Sequence, residues 1–166
     1  MWSAEVTAFR TWHREGFSID GLAEAYSAET CDLILPFAPC VLVGTDDIPA
    51  RWAVQRAWPA WLGVGATSHF LTVTSSHAPG QPCAGCLHPY DDPDTSLIPT
   101  VSFASYWAGL LLAIRLLRHH LGQRQAGIEQ RIDCTPLRLD QPFAYWEMPV
   151  ARRQNCPVRC SLGHVE

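Results

Sequence analysis

Pro82-Cys83-Ala84-Gly85-Cys86-Leu87-His88-Pro89 and a second stretch, Asn155-Cys156-Pro157-Val158-Arg159-Cys160, decide how this chain folds, because they hold four of its seven cysteines. Two thiols that are three or four residues apart can face one point. Two such pairs supply the four sulfurs that a tetrahedral Zn²⁺ binds at about 2.3 Å. We therefore predict a structural zinc site that joins the middle of the chain to its end. Its ligands would be Cys83, Cys86, Cys156 and Cys160. Four buried free thiols or two disulfides are the alternatives.

Length and composition describe a globular protein with few charges. The chain of 166 residues is 48% hydrophobic and 17% charged, and its length predicts a single domain over residues 1–166. The net charge of -4 is spread evenly, which argues against a nucleic-acid partner. All 12 basic residues are arginines, so no lysine is present to form a phosphate-binding Walker loop or a Schiff base.

The sequence also predicts the cellular compartment of the protein and whether it associates with a membrane. Residues 1–5 have neither the basic nor the apolar segment of a signal peptide, so we expect a cytoplasmic protein. A reducing cytoplasm favours metal binding over disulfides. The uncharged stretch over residues 98–114 approaches the length of a membrane span. Because it contains Pro99 and several hydroxyl residues, we interpret it as a buried core helix and expect no membrane association.

Hydrophobic spacing predicts alternating helices and strands. The first 31 residues contain two patterns typical of short helices, over residues 2–14 and from Ser18 to about Thr30, so we expect a helical lead-in over 1–31. Residues 40–44 have the composition of a buried parallel strand. Later elements are predicted as a helix from Pro49, strands within 68–75, a long helix from Pro99 to Leu121, and strands over 132–139 and 143–148. This alternation predicts an α/β fold.

The main polar motif is Gly44-Thr45-Asp46-Asp47-Ile48-Pro49-Ala50-Arg51. Its two carboxylates and its arginine follow a strand, at the end where open α/β sheets bind ligands. An aspartate at that end can hold Mg²⁺ beside a nucleotide phosphate. The alternative is that Asp46 or Asp47 caps the helix that begins near Pro49.

The order of these motifs resembles the ThiF/MoeB/HesA superfamily, whose members adenylylate ubiquitin-like and sulfur-carrier proteins. The resemblance covers roughly residues 32–160 and rests on Thr45-Asp46-Asp47-x-x-x-Arg51, then Cys83-x-x-Cys86, a long apolar helix and a closing cysteine pair. It implies the carboxyl-terminal half of a Rossmann-like fold with a zinc site at the four cysteines. It also implies that Asp46 coordinates Mg-ATP, with Thr45 and Asp47 beside it, and that Arg51 is the arginine of the catalytic motif.

The sequence departs from the family pattern in four places. Asp47 stands where the family has asparagine, and the closing Cys156-x-x-x-Cys160 pair is one residue longer than usual. The family's Gly-rich nucleotide loop and its phosphate-binding arginine and lysine have no counterpart among the residues before Asp46. Residues 90–96, where some members carry a thioester-forming cysteine, contain none. We therefore expect Mg-ATP to bind only with a partner chain.

The resemblance implies one function and leaves one alternative. As an adenylyltransferase component, the chain would activate the C-terminal carboxylate of a ubiquitin-like or sulfur-carrier protein with ATP. A second chain, in a homodimer or heterodimer, would complete the nucleotide site. The alternative is a non-catalytic, zinc-stabilised accessory subunit that pairs with a complete ThiF-like protein.

Overall fold

The computed structural model describes residues 12–14, 16–19, 26, 30, 38–68, 70–90, 102–123, 126–133 and 144–160. The chain divides into two compact units, Met1–Leu35 and Pro36–Glu166. This division falls close to the predicted boundary between the lead-in over 1–31 and the region over 32–160. That all 166 residues fold as one domain stays a prediction.

The first unit contains a β-hairpin where the sequence predicted helix. Strand β1 (Trp12–Arg14) pairs antiparallel with strand β2 (Phe17–Ile19). The predicted helices are therefore wrong for these residues. Tyr26 and Thr30 are not helical either, and the rest of both predicted helices lies outside the described residues. Gly16, between the strands, has a φ of 77°, a conformation typical of a tight hairpin turn.

The described residues of the second unit form a mixed five-stranded sheet with helices, so the predicted α/β class is confirmed. In chain order its elements are β3 (Cys40–Val43), α1 (Ile48–Arg56), β4 (Trp61–Ser68), β5 (Leu71–His77), α2 (Ala84–Leu87), α3 (Ser102–His120), β6 (Ile128–Asp133) and β7 (Ala144–Pro149). The strands lie in the order β3-β4-β5-β6-β7. Strands β3 and β4 are parallel, and the other neighbours are antiparallel.

Two strands differ from their predictions for physical reasons. The parallel direction of β3 is confirmed, but this strand lies at an edge of the described sheet and leaves Leu42 45% exposed. Strand β6 begins at Ile128, four residues before the strand predicted from residue 132, and these first four residues are mostly polar. Two of these residues are buried and paired within the sheet: Glu129 forms an ion pair with Arg131, and Gln130 Nε2 donates to Glu147 Oε1 at 2.9 Å.

Helix α3 packs closely on one face of the sheet through small residues. A Cβ at Gly63 would lie 2.7 Å from Trp61 Cη2 and 2.8 Å from Leu112 Cδ1. The opposite side of the helix is open, with Tyr106 73% and Leu117 61% exposed. The prediction of a buried core helix is therefore wrong for the outward side of α3. No helix among the described residues is long and apolar enough to cross a membrane.

Gly63→Ala is expected to destabilise the protein by about 1–3 kcal/mol, because its methyl group would overlap Trp61 and Leu112. Gly109→Ala in α3 is the matched control. A Cβ at Gly109 would meet no atom within 4 Å, so alanine should stabilise the helix by about 0.5–1 kcal/mol. Urea unfolding of both variants measures the difference. Equal effects of the same sign would contradict the close packing described for Gly63.

Candidate functional site

The four predicted cysteines come together in the folded chain. Their Sγ atoms all lie within 4.8 Å of one another. The Sγ–Sγ distances are 3.3 Å for Cys83 and Cys156, 3.2 Å for Cys86 and Cys160, and 3.9 Å for Cys83 and Cys86. Sulfurs placed tetrahedrally at about 2.3 Å from Zn²⁺ are about 3.8 Å apart. All four cysteines are free rather than disulfide-bonded, so this cluster could hold a metal ion.

An apolar shell surrounds the cysteine cluster. Val150 and Val158 are buried with the thiols, and Trp52, Trp58 and Leu87 pack against them. The two cysteine loops pack tightly against each other at Gly85, where a Cβ would lie 2.7 Å from Val158 Cγ2 and 3.0 Å from Cys156 Sγ. Burial raises the pKa of the Cys83 thiol, aided by its hydrogen bonds to Cys156 and Cys160. A bound cation would favour the opposite, thiolate state.

Helix α1 fixes both cysteine loops. Gln55 Oε1 accepts a hydrogen bond from the Ala84 N–H at 3.0 Å, and Trp52 Nε1 donates to the His88 carbonyl at 2.8 Å. Arg56 Nη2 donates to the Pro157 carbonyl at 3.2 Å, which reaches the second loop. Because α1 directly follows the Asp46 motif, the cysteine cluster and this motif are joined through one helix.

The predicted motif residues form one hydrogen-bonded turn. Asp47 is the N-cap of α1, since its Oδ2 accepts from the Ala50 N–H at 2.6 Å. Of the two aspartates that the sequence offered as helix caps, Asp47 is therefore the cap and Asp46 is not. The Thr45 carbonyl accepts from Arg51 Nε at 2.9 Å and from Arg51 Nη2 at 2.6 Å.

The Arg51 side chain is buried and forms hydrogen bonds within the protein. It is only 4% exposed, burial lowers its pKa, and its Nη1 lies 3.4 Å from His88 Nδ1. Its observed contacts hold the turn that carries Asp46. The predicted catalytic role of Arg51 stays a prediction, as do the nucleotide contacts of Thr45, Asp46 and Asp47. His88, which the sequence did not single out for this role, links Arg51 to the cysteine loop.

Asp46 is exposed and lines a cavity of about 170 Å³ between β4 and α3. The other lining residues are mostly small or hydroxylated: Gly44, Gly65, Ala66, Thr67, Ser105, Ala108, Gly109 and Leu112. Asp46 is the one charged residue among the described residues of this lining. The cavity was not predicted from the sequence, although small residues four positions apart on α3, such as Ser105 and Gly109, indicate close approach of another element.

A second buried contact supports the first cysteine loop. His77 is 1% exposed, its Nδ1 lies 2.8 Å from the Pro82 carbonyl, and its Nε2 lies 2.9 Å from Ser75 Oγ. A carbonyl can only accept, so Nδ1 carries the proton and Nε2 accepts from the serine hydroxyl. Burial lowers the pKa of His77 to about 4. His77 thus holds the backbone immediately before Cys83 as a neutral imidazole.

Acid is expected to destabilise the protein through His77. Its pKa is about 4 when folded and about 6.5 when unfolded, so the unfolded chain binds the extra proton first. The stabilisation is fully present above about pH 6.5 and is lost towards pH 4, at up to about 1.4 kcal/mol per pH unit. Urea unfolding across this range should show a shallower pH dependence for His77→Gln than for wild type. Identical slopes for wild type and His77→Gln would contradict the assignment.

Comparison with known proteins reveals similarity at the level of structure only. No protein-family model matches the chain, and no curated protein matches it in sequence. E. coli MccB in complex with selenomethionine-labelled MccA matches with a TM-score of 0.60 at 15% identity, over 83% of this chain and 45% of MccB. E. coli MccB alone gives 0.61 at 15% identity, over 87% of this chain and 45% of that one.

The heterocyclase TruD is a more distant match, with a TM-score of 0.50 at 17% identity, over 74% of this chain and 22% of TruD. The chain thus spans less than half the length of these solved structures. At such low identities the likeness establishes the fold alone. This chain, with its five-stranded sheet and helices, shares that fold with MccB.

Proposed function

We propose that this chain is a component of an ATP-dependent adenylyltransferase of the ThiF/MoeB/HesA type. The observation that carries the proposal is the position of Asp46. It follows the parallel strand β3, is not the helix cap, and lines the cavity between β4 and α3. MccB, which shares the fold, has been crystallised with ATP and with MccA. A carboxylate at this end of a parallel strand suits a Mg²⁺-nucleotide complex.

In the proposed reaction, a carboxylate oxygen of the substrate attacks the α-phosphorus of ATP. The bond between the α-phosphorus and the bridging oxygen breaks, which gives an acyl-adenylate and pyrophosphate. Mg²⁺, when bound, would neutralise phosphate charge, and Asp46 would hold it. Arg51 would keep Asp46 in place by binding the Thr45 carbonyl. Such catalysis depends on positioning and charge compensation, which rigid contacts provide.

The cavity favours a slender substrate. Its walls carry glycine, alanine and two hydroxyl groups, so an extended chain terminus could lie between β4 and α3. The Thr67 and Ser105 hydroxyls could bind its backbone. We therefore propose the C-terminal carboxylate of a peptide, or of a ubiquitin-like or sulfur-carrier protein, as the group that is activated.

We also propose that the cysteine cluster holds a structural Zn²⁺. Four thiolates would occupy all positions of a tetrahedral ion, which leaves no open position for a substrate. The ion would fix both cysteine loops, and through α1 the turn that contains Asp46.

The phosphate-binding groups are proposed to come from a second chain. No lysine occurs in the sequence, and the guanidinium of Arg51 is engaged with Thr45. Strand β3 lies at the edge of the described sheet, so a further strand could be added beside it. A homologous ThiF-like subunit is the kind of partner that would fit.

The same observations give the second candidate function, a non-catalytic accessory subunit. If a complete ThiF-like partner carries its own nucleotide site, this chain would contribute only its zinc-stabilised fold. Asp46 would then have no part in the reaction, which makes its substitution the test that separates the two functions.

Asp46→Asn is expected to lower ATP–pyrophosphate exchange by about 100-fold or more in the complex isolated from the native host, because a metal-binding charge is removed. Asp47→Asn is the matched control. Asparagine caps a helix as well as aspartate does, so this variant should keep the fold and most of the activity. If wild type catalyses the exchange and Asp46→Asn catalyses it at the same rate, the accessory function is favoured. Tight Mg-ATP binding by the isolated chain in calorimetry would contradict the need for a second chain.

A further inference from the structure

His88 connects the first cysteine loop to the turn that carries Asp46. It lies two residues after Cys86 and is the C-cap of α2. Its N–H donates to the Ala84 carbonyl at 3.0 Å, and its own carbonyl accepts from Trp52 Nε1 at 2.8 Å. The backbone of His88 is therefore fixed to the loop on one side and to α1 on the other.

The imidazole of His88 reaches Arg51, whose Nη1 lies 3.4 Å from His88 Nδ1. A guanidinium has only N–H donors, so Nδ1 accepts and the proton of the neutral ring is on Nε2. Arg51 is 4% exposed and forms no ion pair with a described residue, although Asp46 and Asp47 act on its charge from further away. The acceptors that hold this buried guanidinium are the Thr45 carbonyl and His88 Nδ1.

The Thr45 carbonyl belongs to the peptide bond that joins Thr45 to Asp46. Arg51 Nε and Nη2 donate to its oxygen at 2.9 and 2.6 Å. Because a peptide unit is planar, fixing this oxygen also fixes the N–H and the Cα of Asp46. Thr45 Oγ1 accepts from the Asp47 N–H at 3.1 Å on the other side of Asp46. The direction in which the Asp46 carboxylate leaves the turn thus depends on where the Arg51 guanidinium lies.

The contact with His88 restricts the rotation of this guanidinium. Nε and Nη2 bind the same Thr45 oxygen, so on their own they would let the group turn about that oxygen. Nη1 is on the far side of the group, and its hydrogen bond to His88 Nδ1 supplies a second fixed point. Without that acceptor a buried donor would be unpaired, and Arg51 would have to move to find another.

We propose that His88 is a positioning residue for Asp46. It fixes Arg51, and Arg51 fixes the peptide unit from which the Asp46 carboxylate extends. The first cysteine loop is the rigid support of this contact, so the position of the loop determines how well Asp46 is placed for Mg²⁺. This inference deepens the proposed function and rests on it for the role of Asp46, but the positioning itself is measurable without any reaction.

Hydrogen exchange of the purified full chain, followed by mass spectrometry, tests the positioning. His88→Leu keeps a branched side chain without an acceptor, so residues 45–51 should exchange about 10-fold faster than in wild type. His88→Asn places an amide oxygen where Nδ1 lies, so exchange should return close to the wild-type rate. Strand β5 is the internal reference and should be unchanged. Wild-type exchange of residues 45–51 in His88→Leu, an equal increase in β5, or no recovery in His88→Asn overturns the proposal.

The Mg²⁺ dependence of ATP–pyrophosphate exchange, in the complex isolated from the native host, is the second measurement. His88→Leu should raise the Mg²⁺ concentration that gives half-maximal exchange by about 10-fold, and His88→Asn should keep the wild-type value. A lower maximal rate with an unchanged Mg²⁺ dependence would show that His88 only stabilises the fold, which overturns the positioning role. If wild type catalyses no exchange, the proposed function fails, and hydrogen exchange still decides whether His88 positions the Asp46 turn.

Discussion

Cys83→Ser is expected to lower the melting temperature by at least about 10 °C, or to abolish cooperative unfolding. Cys83 is 1% exposed and its Sγ lies 3.3 Å from Cys156 Sγ, at the centre of the cluster. If the cluster holds Zn²⁺, the free energy of metal binding is also free energy of folding. A serine hydroxyl is a poor zinc ligand, so this stabilisation would be lost. Differential scanning fluorimetry with and without a chelator measures the effect.

Cys40→Ser is the matched control for this prediction. Cys40 is a free thiol on β3, partly buried and outside the cluster, so its replacement should change the melting temperature little. Metal analysis should find zinc in wild type and in Cys40→Ser, and little in Cys83→Ser. If Cys83→Ser melts like the control, or if wild type contains no metal and is insensitive to chelation, the zinc site is refuted.

Arg115→Ala is expected to destabilise the protein by about 3–5 kcal/mol. Arg115 is 5% exposed, and burial lowers its pKa to about 10. Its Nε donates to Thr74 Oγ1, its Nη1 to Ser76 Oγ, and its Nη2 to the carbonyls of Thr74 and Ile128, at 3.0–3.1 Å. Alanine would remove these four hydrogen bonds and would open a cavity under α3. Urea unfolding gives the free-energy difference.

Two variants show whether the geometry of the guanidinium is responsible. Arg115→Lys keeps the charge but cannot make the same forked set of hydrogen bonds, so it should recover only part of the loss. Arg118→Ala removes an exposed arginine one turn further along and should change stability by less than about 0.5 kcal/mol. Equal stability of Arg115→Ala and Arg118→Ala would contradict the role assigned to Arg115.

The cysteine cluster could be predicted from the sequence because the requirement of its chemistry is local. Two thiols a few residues apart share a loop whatever the rest of the chain does, and only the meeting of Cys83 with Cys156 needs the tertiary fold. The turn at Asp47 could also be predicted from the sequence, because a cap followed by proline is a short-range signal. Which aspartate is the cap depends on one hydrogen bond, from Ala50 to Asp47.

The cavity beside Asp46 could not be predicted in the same way. It exists because α3 crosses β4 at small residues, and neither segment specifies its neighbour. The start of β6, before residue 132, was missed because Glu129 and Gln130 are polar but paired inside the sheet, so the hydrophobic alternation that marks a strand is absent there. The edge position of β3 depends on strand order, which an apolar run of four residues does not specify.

The separation of the two cysteine loops has a kinetic consequence. Cys83 and Cys156 meet across 73 residues, and α3, β6 and β7 all lie between them in the chain. Closing so long a loop in a disordered chain is entropically costly, so we expect the four thiols to assemble only after these elements have formed. Before that point, each loop offers a metal just two ligands. If the cluster holds Zn²⁺, the ion should therefore enter late in folding and slow unfolding far more than it accelerates folding.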